Sequence, residues 1–362
     1  MIKKNNCKIA LVGDCLALGG AEKVHARLSV YFENQNIDIH NIIFLDIVSY
    51  EYSGKLLNLG LLSTKNTFDK LKRLYVLRNY IRDNNFDFII DFRYRVNTIN
   101  EILISRFVYN IQTIYTVHSG ITENYIPKNT FLANIIYGKH KILTVSKAIE
   151  NKIRETLNID IQTINNPFEL DLINDLSLEF VPDEKKYIVA VGRMNERVKQ
   201  FDKLIEAYSK SELPKNDIKL LIIGDGLLIS ELINLVSKLN LYDKIIFKYY
   251  QNNPKPYFKN ALFTVLSSQN EGFPNVLVES LATGTPVVSF DCFSGPAEII
   301  KNENNGLLVE DQNIEKLSQA MNRFITDEKL YKNCKKNAIE SINKFSVENI
   351  GKQWLNLMQI NE

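Results

Sequence analysis

Two α/β domains, each built on a parallel sheet, are what this sequence predicts, and three features predict them. Short runs rich in Ile, Val and Leu recur along the chain, each followed by a loop and then a stretch of helical spacing, the pattern of strand–helix–strand units. The chain has 362 residues, more than one hydrophobic core usually supports. Glycine and charge sit where the apolar runs end, at Gly19-Gly20, Gly192-Arg193, Gly224-Asp225-Gly226 and Glu271-Gly272, and parallel sheets bind ligands at such strand ends.

The elements follow in order. Lys8–Gly13 (KIALVG) reads as a buried strand, and residues 21–34 carry Val24, Leu28, Tyr31 and Phe32 at helical spacing. Between them the chain turns at Gly19-Gly20-Ala21-Glu22, where a backbone amide could meet a phosphate. The spacing is not the G-x-G-x-x-G of a dinucleotide fold, which speaks against a nicotinamide cofactor. Residues 37–47 carry a second strand. Residues 68–83 form a helix with Lys70, Lys72, Arg73, Arg78 and Arg82; on a helical wheel these charges do not segregate from the apolar residues, so an ordinary solvated helix competes with a membrane-lying one. Residues 86–92 (FDFIIDF) are a strand leading into Arg93 and Arg95, which either meet an anionic acceptor or form salt bridges within the fold. Residues 112–117 form a strand ending at His118, and a lone histidine is ordinarily structural. A strand at 142–145, a helix at 147–157 and a strand at 161–164 complete a first domain of residues 1–166, and the turn Asn165-Asn166-Pro167-Phe168 is the hinge.

The second domain, residues 167–346, opens with a polar, irregular stretch at 169–186 and a strand, Tyr187–Val191. Gly192, Arg193, Arg197 and Lys199 follow, then a helix at 202–209. Cations behind a glycine at a strand end make a clamp for a diphosphate, arginine as a planar fork and lysine as a compact charge. A strand, Lys219–Ile223, ends at Gly224-Asp225-Gly226 before a helix at 228–239; a strand at 244–247 is followed by Tyr249 and Tyr250. Residues 262–299 form the densest unit: a strand at 262–266, a loop, a helix Asn275–Ala282 and a strand at 286–290. Gly272 permits close backbone approach, Pro274 sets the path into the helix, and Asn275 is suited to cap it, leaving N–H groups facing the loop. Glu271 stands in that loop, and Glu279 lies one turn inside the helix on the same face as Asn275. After Gly306–Val309 come a helix at 314–326 and a terminal helix at 347–360 containing Trp354.

Apolar residues make up 45% and charged residues 24%, as in ordinary globular proteins. Residues 1–165 hold 21 Lys and Arg against 15 Asp and Glu, the remainder 23 against 27, so the basic half is the first. Scattered basic residues without a recognised module argue against nucleic acid and leave an anionic membrane surface or a phosphorylated acceptor. Cys7, Cys15, Cys292 and Cys334 are widely spaced, with four histidines in the chain, and suggest neither a disulfide framework nor a metal site. No apolar run approaches the length of a spanning helix, and the first residues are too short for a signal-peptide core, so the expectation is a cytoplasmic protein in at most peripheral contact with a membrane.

The segment E-G-F-P-N-V-L-V-E, with Glu271 and Glu279 separated by seven residues, followed by G-T-P-V-V and S-G-P-A-E-I, resembles the donor-binding core of retaining glycosyltransferases of family 4, which have the GT-B fold. The likeness extends to Gly19-Gly20-Ala21-Glu22, Gly192-Arg193 with Lys199, and Gly306-Leu307-Leu308-Val309, and so covers nearly the whole chain. It implies two Rossmann-like α/β/α domains facing each other across a cleft, with the helix at 347–362 crossing back to the first. It implies a hexosyltransferase moving a hexose or N-acetylhexosamine from a nucleotide sugar, UDP-linked by likeness to bacterial enzymes of surface polysaccharide assembly, to a glycan or polyprenyl-diphosphate-linked acceptor in capsule, O-antigen or glycoprotein glycan assembly. In that scheme Arg193, Lys199 and the Gly20 amide stabilise the leaving diphosphate, Glu271 holds sugar hydroxyls, Glu279 holds the ribose, and His118 lies near the donor sugar. Gly19, Gly192, Gly224, Gly226, Gly272, Phe273, Pro274, Asn275 and Val276 line the donor, and no metal is needed. Two departures stand out: Gln200 occupies the usual glycine position after the lysine, and Tyr249 falls where a glycine usually sits near the base. A nucleotide-sugar epimerase and a non-catalytic sugar-nucleotide sensor compete with this reading; donor turnover without acceptor would favour the first, tight donor binding without transfer the second.

Overall fold

A computed structural model of the chain describes residues 2–4, 7–17, 19–63 and 69–361. It separates into two compact units, Met1–Phe168 with Phe345–Glu362, and Glu169–Lys344. In the first unit β1 (Ile2–Lys3) pairs in parallel with β15 (Ile360–Asn361). A seven-stranded sheet contains β2 (Lys8–Gly13), β3 (Asp38–Ile43), β4 (Lys55–Asn58), β5 (Phe88–Asp91), β6 (Thr113–Val117), β7 (Lys141–Thr144) and β8 (Asp160–Thr163). Its order is β4-β3-β2-β5-β6-β7-β8, with every pairing parallel. The second unit repeats the plan with β9 (Tyr187–Val191), β10 (Lys219–Ile223), β11 (Ile245–Lys248), β12 (Thr264–Leu266), β13 (Val287–Phe290) and β14 (Gly306–Val309), in the order β11-β10-β9-β12-β13-β14. β2, β5, β6 and β9 are buried almost throughout, as parallel strands covered by helices on both faces must be.

Each unit builds its sheet outward in one direction, returns to the middle, and builds outward in the other. The reversal falls between β2 and β5 in the first sheet and between β9 and β12 in the second. Loops leaving the carboxyl ends of those neighbours diverge and open a crevice.

Several elements differ from the sequence reading for identifiable reasons. The strand expected over 37–47 ends at Ile43, because the N–H groups of Phe44 and Leu45 turn to the Asp14 carbonyl at 3.1 and 2.8 Å. β4 was not anticipated: an edge strand half-open to solvent needs no apolar run. The stretch at 169–186 is not wholly irregular, since Leu170–Leu176 is helical. Helices Thr98–Leu103, Thr130–Tyr137 and Glu328–Ser341 also went unread. Asn97, Asn129 and Asp327 cap them by accepting first-turn N–H groups, and Glu328–Ser341 buries only Leu330, Cys334 and Ala338 under a polar surface. The helix expected from residue 68 runs over Asp69–Asn84; Phe68 lies outside the described residues.

Helix Val347–Leu357, capped by Ser346, packs in the first unit. Trp354 meets Phe32 edge-on at 6.5 Å, and Ile350, Leu355 and Met358 complete that core. The approach is close, since a Cβ on Gly351 would come 2.1 Å from Tyr31 Cε1.

Candidate active site

At the crevice of the second sheet, the loop after β9 brings Gly192, Arg193 and Lys199, and the loop after β12 brings Glu271 and Gly272. The loops are sewn together: Gln269 donates its N–H to the Val198 carbonyl at 2.8 Å, and the Ser267 hydroxyl donates to the Lys199 carbonyl at 2.8 Å. Lys199 Nζ then lies 2.6 Å from Glu271 Oε1, both side chains partly buried. Arg193 is exposed and makes no ion pair with any described residue. Arg197, a third cation of the clamp expected from sequence, is instead engaged by Glu231 at 2.7 Å. Gln200, in the usual glycine position, takes the left-handed conformation (φ 48°, ψ 46°), so the glycine-like path survives the substitution.

Gly224 and Gly226 let the loop after β10 run against the loop after β9. Gly224 has φ +143°, and a Cβ there would sit 2.0 Å from the Gly192 carbonyl oxygen; at Gly226 it would meet the backbone of Met194 at 2.3 Å. Met194 donates its N–H to the Asp225 carbonyl at 2.8 Å.

The helix after β12 spans Asn275–Ala282 with Pro274 in the cap position and no side-chain cap. Asn275 is therefore the first helical residue rather than the cap, because Pro274 in extended conformation already turns the chain into the helix. The positive end of the helix faces the loop that holds Glu271. Glu279 is buried on this helix, Phe273 is buried, and Asn275 and Val276 are half-buried. Ser294 Oγ donates to the Gly272 carbonyl at 2.8 Å, fixing the loop from the far side. The Cys292 thiol is pushed up to about 12 by burial and by the Glu271 carboxylate. All four cysteines are free and buried. Among the described residues no group of three His, Cys, Asp or Glu side chains could hold a metal ion.

Sequence reasoning missed Ser268, whose buried hydroxyl lacks a hydrogen-bond partner among the described residues. A serine in a polar loop carries no spacing signal; only the sheet shows that it lies just past β12, at the crevice. Tyr249 is exposed just beyond β11.

In the first unit, Gly19 precedes and Gly20 begins the helix Gly20–Asn34; Leu18 lies outside the described residues. Arg93 and Arg95 are both buried and serve the fold. Arg93 Nη2 reaches Asp91 Oδ2 at 2.7 Å and Glu101 Oε2 at 3.0 Å. Arg95 donates to the Thr116 and Arg93 carbonyls at 2.7 and 2.9 Å, surrounded by Tyr115, Tyr125 and Tyr137.

His118 follows β6 with both ring nitrogens buried and without partners among the described residues. Burial and the nearby Arg95 charge lower its pKa to about 3, and burial lowers that of His25 to about 4. The unfolded chain takes up a proton at each histidine near pH 6.5, the folded chain only far below. Folding stability should therefore fall as pH drops from 6.5 towards 4, by about 1.4 kcal/mol per pH unit for each histidine. Chemical denaturation of His118→Asn beside the parent at pH 7 and pH 5 checks this: the parent's advantage should shrink at pH 5, and an unchanged difference would refute it.

Comparison with known proteins gives the family of the chain. Residues 178–341 match the family model described as glycosyl transferases group 1. The chain is 30% identical over 357 residues, 92% of its length and 94% of the relative's, to a Campylobacter jejuni protein named N-acetylgalactosamine-N,N'-diacetylbacillosaminyl-diphospho-undecaprenol 4-alpha-N-acetylgalactosaminyltransferase. Its fold resembles that of a glycosyltransferase from Rickettsia africae, at 20% identity and TM-score 0.79 over 98% of each chain. It also resembles Anabaena HepE crystallised with UDP and glucose, at 17% identity and TM-score 0.79 over 98% of this chain and 100% of that one. Loops that gather two cations, a carboxylate and a helix N-terminus at the reversal of a parallel sheet thus occur in a chain that belongs to the group 1 glycosyl transferases.

Proposed function

We propose that the protein transfers a hexose or N-acetylhexosamine from a UDP-sugar to a lipid-linked glycan, with retention at the anomeric carbon. The observation that carries the donor half is the meeting of Lys199 and Glu271 at 2.6 Å at the crevice of the second sheet, with Arg193 in the same loop as Lys199. A lysine ammonium has three N–H donors, so Lys199 can keep its bond to Glu271 and still donate to a phosphate oxygen. Arg193, with no competing carboxylate among the described residues, is open to the same diphosphate. As the bond from the anomeric carbon to the diphosphate oxygen breaks, negative charge grows on the leaving group, and these two cations stabilise it more than they stabilise the bound donor.

Glu271 then accepts hydrogen bonds from sugar hydroxyls while holding Lys199 in place, and Glu279 accepts from the ribose. The N–H groups around Gly272, Phe273, Asn275 and Val276 point with the positive end of their helix towards anionic oxygens, and the Ser268 hydroxyl gains the partner it lacks. To Gly20 and His118 we assign the roles the resemblance implies, an N–H for the diphosphate and a neutral imidazole for the donor sugar. The acceptor hydroxyl oxygen forms the new bond to the anomeric carbon as the bond to the diphosphate breaks, and its proton passes to the departing diphosphate oxygen, which has gained the electron pair of the broken bond. A lipid diphosphate acceptor is favoured because the Campylobacter relative, matched along nearly its whole length, is named for a diphospho-undecaprenol substrate.

A thermal-shift panel tests the donor: UDP should raise the melting temperature more than GDP or ADP at equal concentration, since the tighter ligand stabilises more. A larger shift with GDP would overturn the base assignment. With side chains supplying the positive charge, transfer should persist in EDTA; complete loss restored by Mn²⁺ would overturn the metal-free reading.

A further inference from the structure

The reversal of the first sheet, between β2 and β5, opens a crevice of its own, with chemistry unlike that around Lys199 and Glu271. Asp14, next after β2, fastens three loops there. Its carbonyl accepts the N–H groups of Phe44 and Leu45 beyond β3, and its Oδ2 accepts the Tyr94 N–H, beyond β5, at 3.0 Å. Its Oδ1 makes no hydrogen bond with any described residue. Burial raises the Asp14 pKa, so its carboxylate gains from a further donor. Tyr94 is the open end of a stack: its half-exposed ring lies 5.0 Å from that of Tyr125, which is wholly buried, and the Arg95 guanidinium lies 5.2 Å from Tyr125. With its backbone held by Asp14 and its ring backed by Tyr125, Tyr94 presents an aromatic surface already in place, which loses little freedom when a ligand covers it.

The charges around that surface decide what it can take. Arg93 and Arg95 are buried and engaged by Asp91, Glu101 and backbone carbonyls, so neither is offered to an incoming anion. His118, after the neighbouring strand β6, stays uncharged, its pKa lowered to about 3. The group presented beside Tyr94 is the Asp14 carboxylate, with Glu22 close enough to act on Cys15 and Tyr125. A phosphate meets repulsion there. A pyranose ring instead lays its C–H face on an aromatic ring and gives a hydroxyl proton to a carboxylate. Arg93 and Arg95 would suit an anionic acceptor had they faced outward; with both enclosed, an uncharged sugar is the group this crevice suits.

We propose that Tyr94 and Asp14 form a second sugar subsite, which receives a sugar ring of the acceptor: the ring stacks on Tyr94 and donates a hydroxyl to Asp14 Oδ1. That the sugar is the acceptor's rests on the transfer proposed for the protein; the subsite itself does not. Methyl glycosides of glucose, galactose, N-acetylglucosamine and N-acetylgalactosamine, titrated into the full chain with and without saturating UDP and followed by ligand-observed NMR, test it. At least one should bind. Tyr94→Ala and Tyr94→Leu should each weaken that binding about tenfold or more, Tyr94→Phe should stay within about twofold of the parent, and all three should keep the parent's UDP-induced thermal shift. Asp14→Asn keeps an oxygen for the Tyr94 N–H but loses the charge, and should weaken binding about threefold or more. Absence of binding by all four glycosides, equal binding by the parent, Tyr94→Ala and Tyr94→Leu, or displacement of the glycoside by an equal concentration of inorganic phosphate would each overturn the subsite. Glycoside binding through Tyr94 in a protein that UDP does not stabilise would keep the subsite and overturn its assignment to the acceptor.

Discussion

Replacing Lys199 by alanine is expected to lower kcat by about a hundredfold or more while changing the donor KM far less. One well-placed group facing a charge that grows in the transition state is worth about 2.7–4 kcal/mol. A cation that met the bound diphosphate equally in both states would instead raise KM and leave kcat alone. Arg193→Ala should act in the same direction. Arg193→Lys should recover only part of the loss, because a lysine lacks the planar fork that grips two phosphate oxygens. The 2.6 Å contact between Lys199 and Glu271 adds a further constraint. Each residue holds the other, so Lys199→Ala combined with Glu271→Ala should lose less than the sum of the two single losses. Steady-state kinetics on the folded variants decide the matter: near-normal turnover in both Arg193→Ala and Lys199→Ala would show that the leaving group is stabilised elsewhere.

Arg93→Ala should cost about 3–5 kcal/mol of stability without touching the donor site. Its guanidinium sits between Asp91 and Glu101, all three side chains almost wholly enclosed. Removing it strands carboxylates in a medium that solvates charge poorly, which costs more than the ion pair itself contributes. Arg93 and Arg95 hold the Asp91 carboxyl below its usual range despite burial, so its charged form is the one the fold is built for. Denaturant titration measures the effect. A loss below about 1 kcal/mol would mean that water reaches Asp91 once the arginine is gone.

Arg93 also shows where sequence reading reaches its limit. Two arginines after a parallel strand suit an anionic ligand or an internal salt bridge equally, and the choice turned on Glu101, eight residues along in a helix the sequence did not reveal. That helix was hidden because its capping residue, Asn97, follows no apolar pattern. The buried strands were legible because parallel strands covered on both faces are continuous apolar runs, and β2 and β9 fall where such runs lie. Glu271, Glu279 and the helix Asn275–Ala282 were legible for another reason: strand, loop, helix and strand follow one another within forty residues or so, and local spacing defines such a unit. Ser268, the Lys199–Glu271 contact and the left-handed Gln200 were not, since each depends on loops brought together by the order of strands in a sheet. The departure at Gln200 threatened the loop path on paper; its backbone took the glycine's conformation, a small local cost that the surrounding loop sustains.

The central claim is that the crevice after β9 and β12 holds the donor diphosphate, and a crystal structure of the protein soaked with UDP tests it most directly. The diphosphate should lie within hydrogen-bonding distance of Lys199 Nζ and the Arg193 guanidinium, with the ribose hydroxyls on Glu279. UDP bound with its diphosphate away from both cations, or with Glu279 directed elsewhere, would contradict the account.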